Sequence, residues 1–140
     1  MGLPPGGVKG AAAGEALLVI DVQERLAPAV PSAPAVTATI AALIEKAREN
    51  RLPILASEQY SRGLGPTVAD LRRRLGAEEA IEKIHFAAPR EAAFAAALAA
   101  RGVTHAVVAG MEAHVCVQQT VLALLAQGVA VTVVGDAVAS

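Results

Sequence analysis

Four short segments of the chain, ALLVIDV (16–22), PILASEQ (53–59), HAVVAGM (105–111) and AVTVVGD (130–136), run apolar and β-branched without alternation. Strands of that kind are buried on both faces, the situation of strands inside a parallel sheet. A fifth candidate, AIEKIHF (80–86), is less apolar. Between them lie segments with helical spacing at 36–51, 67–75, 90–102 and 112–128, the last two ending in Gly, which suits the left-handed position that closes a helix. Strand and helix alternate throughout, so the expected class is α/β, with a parallel sheet covered by helices on both faces.

The 140 residues are the size of one ordinary domain, 54% hydrophobic and 18% charged, with a mean hydropathy of +0.49. Such a chain has much to bury and is not a disordered one. Residues 1–14, rich in Pro and Gly, read as a flexible tail ahead of a single domain over 15–140, and they lack the unbroken apolar stretch of a signal peptide. The run from Thr120 to Gly135 is nearly uncharged, but it is shorter than the roughly 20 residues of a membrane span and is interrupted by Gln127-Gly128. A buried helix followed by a buried strand accounts for it, and no membrane partner is expected.

The net charge is −1, the only basic cluster is Arg72, Arg73 and Arg74, and the aromatic residues are one Tyr and two Phe. Neither a continuous phosphate footprint nor a base-stacking surface follows, so nucleic acid is not an expected partner. A single cysteine makes no internal disulfide, and the histidines at 85, 105 and 114 lack ligand spacing. A cytoplasmic protein without metal or cofactor is the expectation.

Open parallel sheets place ligands beyond the carboxyl ends of their strands. At or just past those ends stand Asp21, Glu58, Lys83, His85, Glu112 and Cys116. Each has a plain structural reading beside the chemical one. Asp21 could cap the turn after its strand, and Lys83 could be an edge lysine that discourages pairing. Cys116 could be a small buried hydrophobe. Against that last reading, Cys116 falls at the start of a helix, where free N–H groups and the helix dipole favour an anion, so a thiolate is expected to form more easily than in a free cysteine. A couple with His114 has no support from the spacing. RGLGPT (62–67) lacks the pattern of a phosphate-binding loop and reads as a loop leading to a helix near Thr67.

Taken together, LLVIDVQ (17–23), SEQYSRGLGPTV (57–68), IEKIHF (81–86) and GMEAHVCVQQT (110–120) resemble the isochorismatase-like cysteine hydrolase family, in order and over nearly all of the chain after residue 14. The EQY-x-x-GLGPT stretch looks most like its isochorismatase domain-containing branch. The resemblance implies a three-layer α/β/α fold with a mostly parallel, Rossmann-like central sheet. It also implies a triad of Asp21, Lys83 and Cys116, with Cys116 as nucleophile. A cis peptide at Met111–Glu112 and an oxyanion hole from the N–H groups of Glu112 and Cys116 follow by analogy. The same pattern puts Leu26, Tyr60, Met111 and Val115 around the substrate.

The cysteine favours an amide or related carbonyl substrate over a vinyl ether, and SEQY stands where metal-binding members carry an Asp/His cluster. The expected function is therefore hydrolysis of a C–N bond in a small amide-like molecule through a Cys116 thioester. The alternative is an idle family member that serves as a binding or assembly module. A third possibility is a redox sensor that uses Cys116 alone. The family pattern continues beyond DAVAS (136–140) with a further helix and strand. Either that part is missing from the given sequence or a second subunit covers the sheet edge, and a homo-oligomer is expected.

Overall fold

The computed structural model of the protein describes residues 13–140. The expected tail falls outside them, except for Ala13 and Gly14 in a turn. Five strands form one sheet: β1 (Glu15–Ile20), β2 (Ile54–Gln59), β3 (Ala80–Lys83), β4 (His105–Met111) and β5 (Ala130–Ala139). Their spatial order is β3-β2-β1-β4-β5 and every pairing is parallel. The order reverses direction at β1, between β2 and β4, which is where an open α/β sheet places its site.

The continuous apolar run of β1 is explained by its two faces. Leu17 and Val19 point into one core with Ile40 and Ile44 of α1 (Ala33–Glu49) and Leu71 of α3 (Ala69–Arg72). Leu18 and Ile20 point into a second core with Phe94 and Leu98 of α4 (Ala92–Ala100) and Leu124 of α5 (Gln118–Ala126). These are the three layers. A short α2 (Ser61–Leu64) sits in the loop after β2. Helices α4 and α5 are followed by Gly102 and Gly128 at φ 61° and 83°, as the sequence led us to expect.

Four departures from the expected boundaries bear on the site. Strand β3 ends at Lys83 instead of reaching Phe86, because the chain bends there to aim backbone carbonyls at the Lys83 ammonium. The expected helix 67–75 shrinks to Ala69–Arg72, since Thr67 is held in a bridge to Gln23. The expected helix 112–128 divides into a wide π turn at Ala113–Val117 and then α5. Strand β5 runs three residues past its expected end, following β4 through a register shift to Met111↔Ala139.

Candidate active site

The register of β1 and β4 pairs Ile20 with Gly110, so both strands end side by side at the carboxyl edge. Gly110 has φ 140°, and a Cβ there would lie 2.1 Å from the Ile20 carbonyl oxygen. Only glycine permits this close approach of β4 to β1 at the ends of the two strands. The Met111–Glu112 peptide is cis.

Asp21 follows β1 with φ 54°, a left-handed backbone that Asp tolerates better than most residues. It is fully buried. Its Oδ1 accepts a 2.6 Å hydrogen bond from the Ser57 hydroxyl, and its Oδ2 lies 3.0 Å from Lys83 Nζ. That contact is a buried ion pair, made while Nζ donates to three other oxygens.

Lys83 is equally buried. An unpaired ammonium in such a place would cost several kcal/mol, roughly, and four oxygens offset it. Besides Asp21, Nζ donates to Gln59 Oε1 at 2.7 Å and to the carbonyls of His85 and Phe86 at 2.9 and 3.1 Å. Edge position alone suggested an exposed side chain, yet the register Gln59↔Lys83 turns this one inward.

Cys116 is 5% exposed and packs in the core formed with α4 and α5. Its thiol is pushed up to about 12, first by burial, then by the charge of Asp21 and its contact with the sulfur, while Lys83 pulls the other way more weakly. This corrects the expectation of an easily formed thiolate. The helix-start argument fails because Cys116 is the fourth residue of the π turn, buried there beside a carboxylate whose charge opposes ionisation. Asp21, Lys83 and Cys116 thus meet at one point, with a neutral thiol next to a buried carboxylate.

The other candidates scatter. Glu58 accepts from the Thr67 N–H and hydroxyl at 2.7 and 2.8 Å, tying the RGLGPT loop down. His114 turns its ring to Ser140 at 2.6 Å, so no cysteine–histidine couple forms. Glu112 precedes the π turn, and its carbonyl accepts from Val115 and Val117. Of the four expected pocket residues, Tyr60 is 55% exposed, Met111 is fully buried in the α1 core, Leu26 packs against that core and Val115 against the other. A concavity of about 580 Å³ beside Glu24, Val30, Pro34, Val68 and Asp70 contains none of the three meeting residues. A smaller one of about 270 Å³, lined by Ile84, His85, Phe86, Ala87, Arg90 and Gln119, flanks the Lys83 carbonyls. Among the described residues no group of three or more His, Cys, Asp or Glu is placed to hold a metal ion, and no helix is long and apolar enough to cross a membrane.

Sequence reasoning missed Ser57, Gln59 and Gln23. Gln23 is fully buried; its amide donates to the carbonyls of Gln59 and Gly65, and its oxygen accepts from the Gln59 N–H. It therefore fixes the residue that holds Lys83. The signal was parity along β2: Ser57 pairs with Ile20, next to Asp21, and Gln59 with Lys83.

Comparison with known proteins identifies the family of the fold. The isochorismatase domain family matches residues 15–140. Isochorismatase domain-containing protein 1 of Salmo salar is 38% identical over 120 residues, covering 86% of this chain and 42% of the relative. The solved structure of MAR1 ribonuclease from Caenorhabditis elegans is 37% identical with a TM-score of 0.82, covering 90% of this chain and 65% of that one. The YcaC gene product of Escherichia coli, an octameric hydrolase of unknown specificity, is 26% identical with a TM-score of 0.83, over 91% of this chain and 65% of that one. This chain therefore spans about two-fifths of the first of these relatives and two-thirds of the two solved chains. With the family match running from the first strand to the last residue, the chain belongs to the isochorismatase family.

Proposed function

We propose that this chain is a cysteine hydrolase that opens a C–N bond of a small amide-like substrate, with Asp21, Lys83 and Cys116 as its triad. The observation that carries the reading is the meeting of three buried groups: the Asp21 carboxylate 3.0 Å from the Lys83 ammonium, with the Cys116 thiol in contact with both.

The steps follow from the resting state. The thiol is neutral, so attack on the substrate carbonyl requires its proton to pass to Asp21 Oδ2 as the S–C bond forms. Lys83 stays beside the developing thiolate and offsets its charge. The oxyanion is received by the N–H groups of Glu112 and Cys116. Collapse breaks the C–N bond, and the leaving nitrogen takes the proton from Asp21. Water then gives a proton to Asp21 and attacks the thioester, releasing the acid and returning the proton to sulfur. Leu26, Tyr60, Met111 and Val115 are the proposed surroundings of the substrate.

Release of ammonia or amine from a panel of small amides tests this, with an RNA oligonucleotide added because a solved relative is named a ribonuclease. Turnover of an amide that disappears in Cys116→Ala supports the reading. Turnover that survives that substitution removes the thioester. If no member of the panel turns over and iodoacetamide labels Cys116 equally fast in wild type, Asp21→Asn and Lys83→Met, the binding-module alternative stands in its place.

Self-association belongs to the same reading. Leu122 and Leu125 on α5 and Val133 on the edge strand β5 are exposed, and a solved relative is an octamer. Sedimentation velocity of the purified chain is expected to give an assembly larger than a monomer.

A further inference from the structure

Two of the four oxygens that hold Lys83 are the backbone carbonyls of His85 and Phe86, in an irregular bend between β3 and a single 3-10 turn at Ala88–Arg90. Such a bend has no ladder to keep its carbonyls aimed, so something else must fix it. The Glu91 carboxylate reaches back across it: Oε2 accepts from the Ile84 N–H at 3.0 Å and lies 3.0 Å from His85 Nδ1. Glu91 is also the residue that opens α4, yet its side chain makes no capping bond to that helix. The carboxylate is turned away from its local role. The amide of Gln59, whose oxygen holds Lys83, donates to the Ile84 carbonyl at 3.1 Å and secures the other side of the same residue.

We infer that Glu91 is a positioning residue for the proposed reaction: with His85 it latches the Ile84–Phe86 bend, so that two carbonyls hold the Lys83 ammonium against Asp21 and Cys116. The inference rests on the hydrolase reading, because a fixed Lys83 matters there for the charge formed on sulfur. Glu91 touches none of the reacting atoms and acts only through the bend.

The test reads Lys83 itself. In the folded protein Lys83 is buried whereas the Lys46 side chain is 73% exposed, so a water-soluble acetylating ester followed by mass spectrometry has an internal reference. Opening the latch in Glu91→Ala is expected to raise Lys83 acetylation relative to Lys46 by about tenfold and to slow iodoacetamide labelling of Cys116 by about threefold to tenfold. Glu91→Gln keeps an oxygen for the Ile84 N–H and is expected to return both rates to within about twofold of wild type. Arg48→Met, a destabilising change elsewhere, is the control for global unfolding and leaves Lys83 protected. Wild-type acetylation of Lys83 in Glu91→Ala, or equal acetylation in the Arg48→Met control, overturns the latch without touching the hydrolase reading. If instead no amide turns over and Cys116 is labelled at the wild-type rate in Asp21→Asn and Lys83→Met, the hydrolase reading falls, and the positioning role of Glu91 falls with it.

Discussion

Two acid–base pairs sit at opposite ends of the sheet, and they are built differently. At the carboxyl ends of the strands, Asp21 and Lys83 are both fully buried, and the Cys116 thiol lies against them. Toward the other end, Arg48 near the close of α1 meets Glu79 just before β3. Nη1 donates to Oε2 at 2.7 Å and Nη2 to Oε1, while the Gly76 N–H donates to Oε1 at 2.8 Å and Arg48 also donates to the Arg74 carbonyl at 2.9 Å. Both carboxylate oxygens of Glu79 are satisfied, and the Arg48 side chain is 41% exposed. The second pair is a strut joining a helix to a strand start. The first puts a carboxylate, an ammonium and a thiol together in a dry place, an arrangement that shifts proton affinities and that a strut does not need.

The strongest way to break this contrast is to neutralise the two carboxylates in turn. Asp21→Asn keeps the shape but cannot take the thiol proton, and turnover is expected to fall about 10²- to 10⁴-fold. Glu79→Gln, far from the sulfur, is expected to leave turnover per folded molecule within about twofold. Steady-state kinetics of the two variants on one amide decides it, and equal losses would erase the distinction.

A smaller effect is expected in stability. Arg48→Met removes a half-exposed guanidinium from the strut, and chemical denaturation should report a loss of about 1 kcal/mol. The Cys116 labelling rate, measured on the folded fraction, should stay at the wild-type value. A loss of labelling in Arg48→Met would mean that the strut, too, shapes the site.

The smallest effects are in the pH dependence of stability, and the two regions should bend the curve at opposite ends. The Cys116 thiol is raised from about 9 to about 12 by burial first and then by Asp21. The unfolded chain therefore loses this proton before the folded one does. Its contribution is fully present below about 9 and declines as pH rises toward 12. Burial would raise the Glu79 carboxyl, but the Arg48 hydrogen bond, the Gly76 N–H and the Arg48 charge together bring it below its ordinary value. Its contribution is present above the unfolded carboxyl value of about 4.5 and is lost as pH falls through the lower folded one. Melting curves should show the alkaline decline shrinking in Cys116→Ala and the acid decline shrinking in Glu79→Gln. A decline that persists unchanged in either variant assigns that end of the curve to other groups.

Position near the strand ends offered six candidates, Asp21, Glu58, Lys83, His85, Glu112 and Cys116, and it was the resemblance of the four motifs that singled out Asp21, Lys83 and Cys116 among them. What surrounds them was not legible. Half of the Lys83 cradle is backbone carbonyl, which carries no side-chain signature, and the rest depends on Gln59, an ordinary residue until the β2–β3 register sets it beside Lys83. Strand β3 read too long for the same reason: the carbonyls that end it are recruited by an ammonium from inside the sheet.

The sequence by itself determined the alternation of elements, the two-sided burial of the central strands and the placing of Asp21, Lys83 and Cys116 along the chain, because hydrophobic periodicity acts locally. Tertiary structure decided the ionisation of Cys116, the inward turn of Lys83 and the closeness of Asp21 to both. Those depend on which groups from β1, β2, β3 and the π turn share one dry volume. Electrostatic energy in such a volume is set by distance and solvent exclusion, and neither is a property of neighbours in sequence.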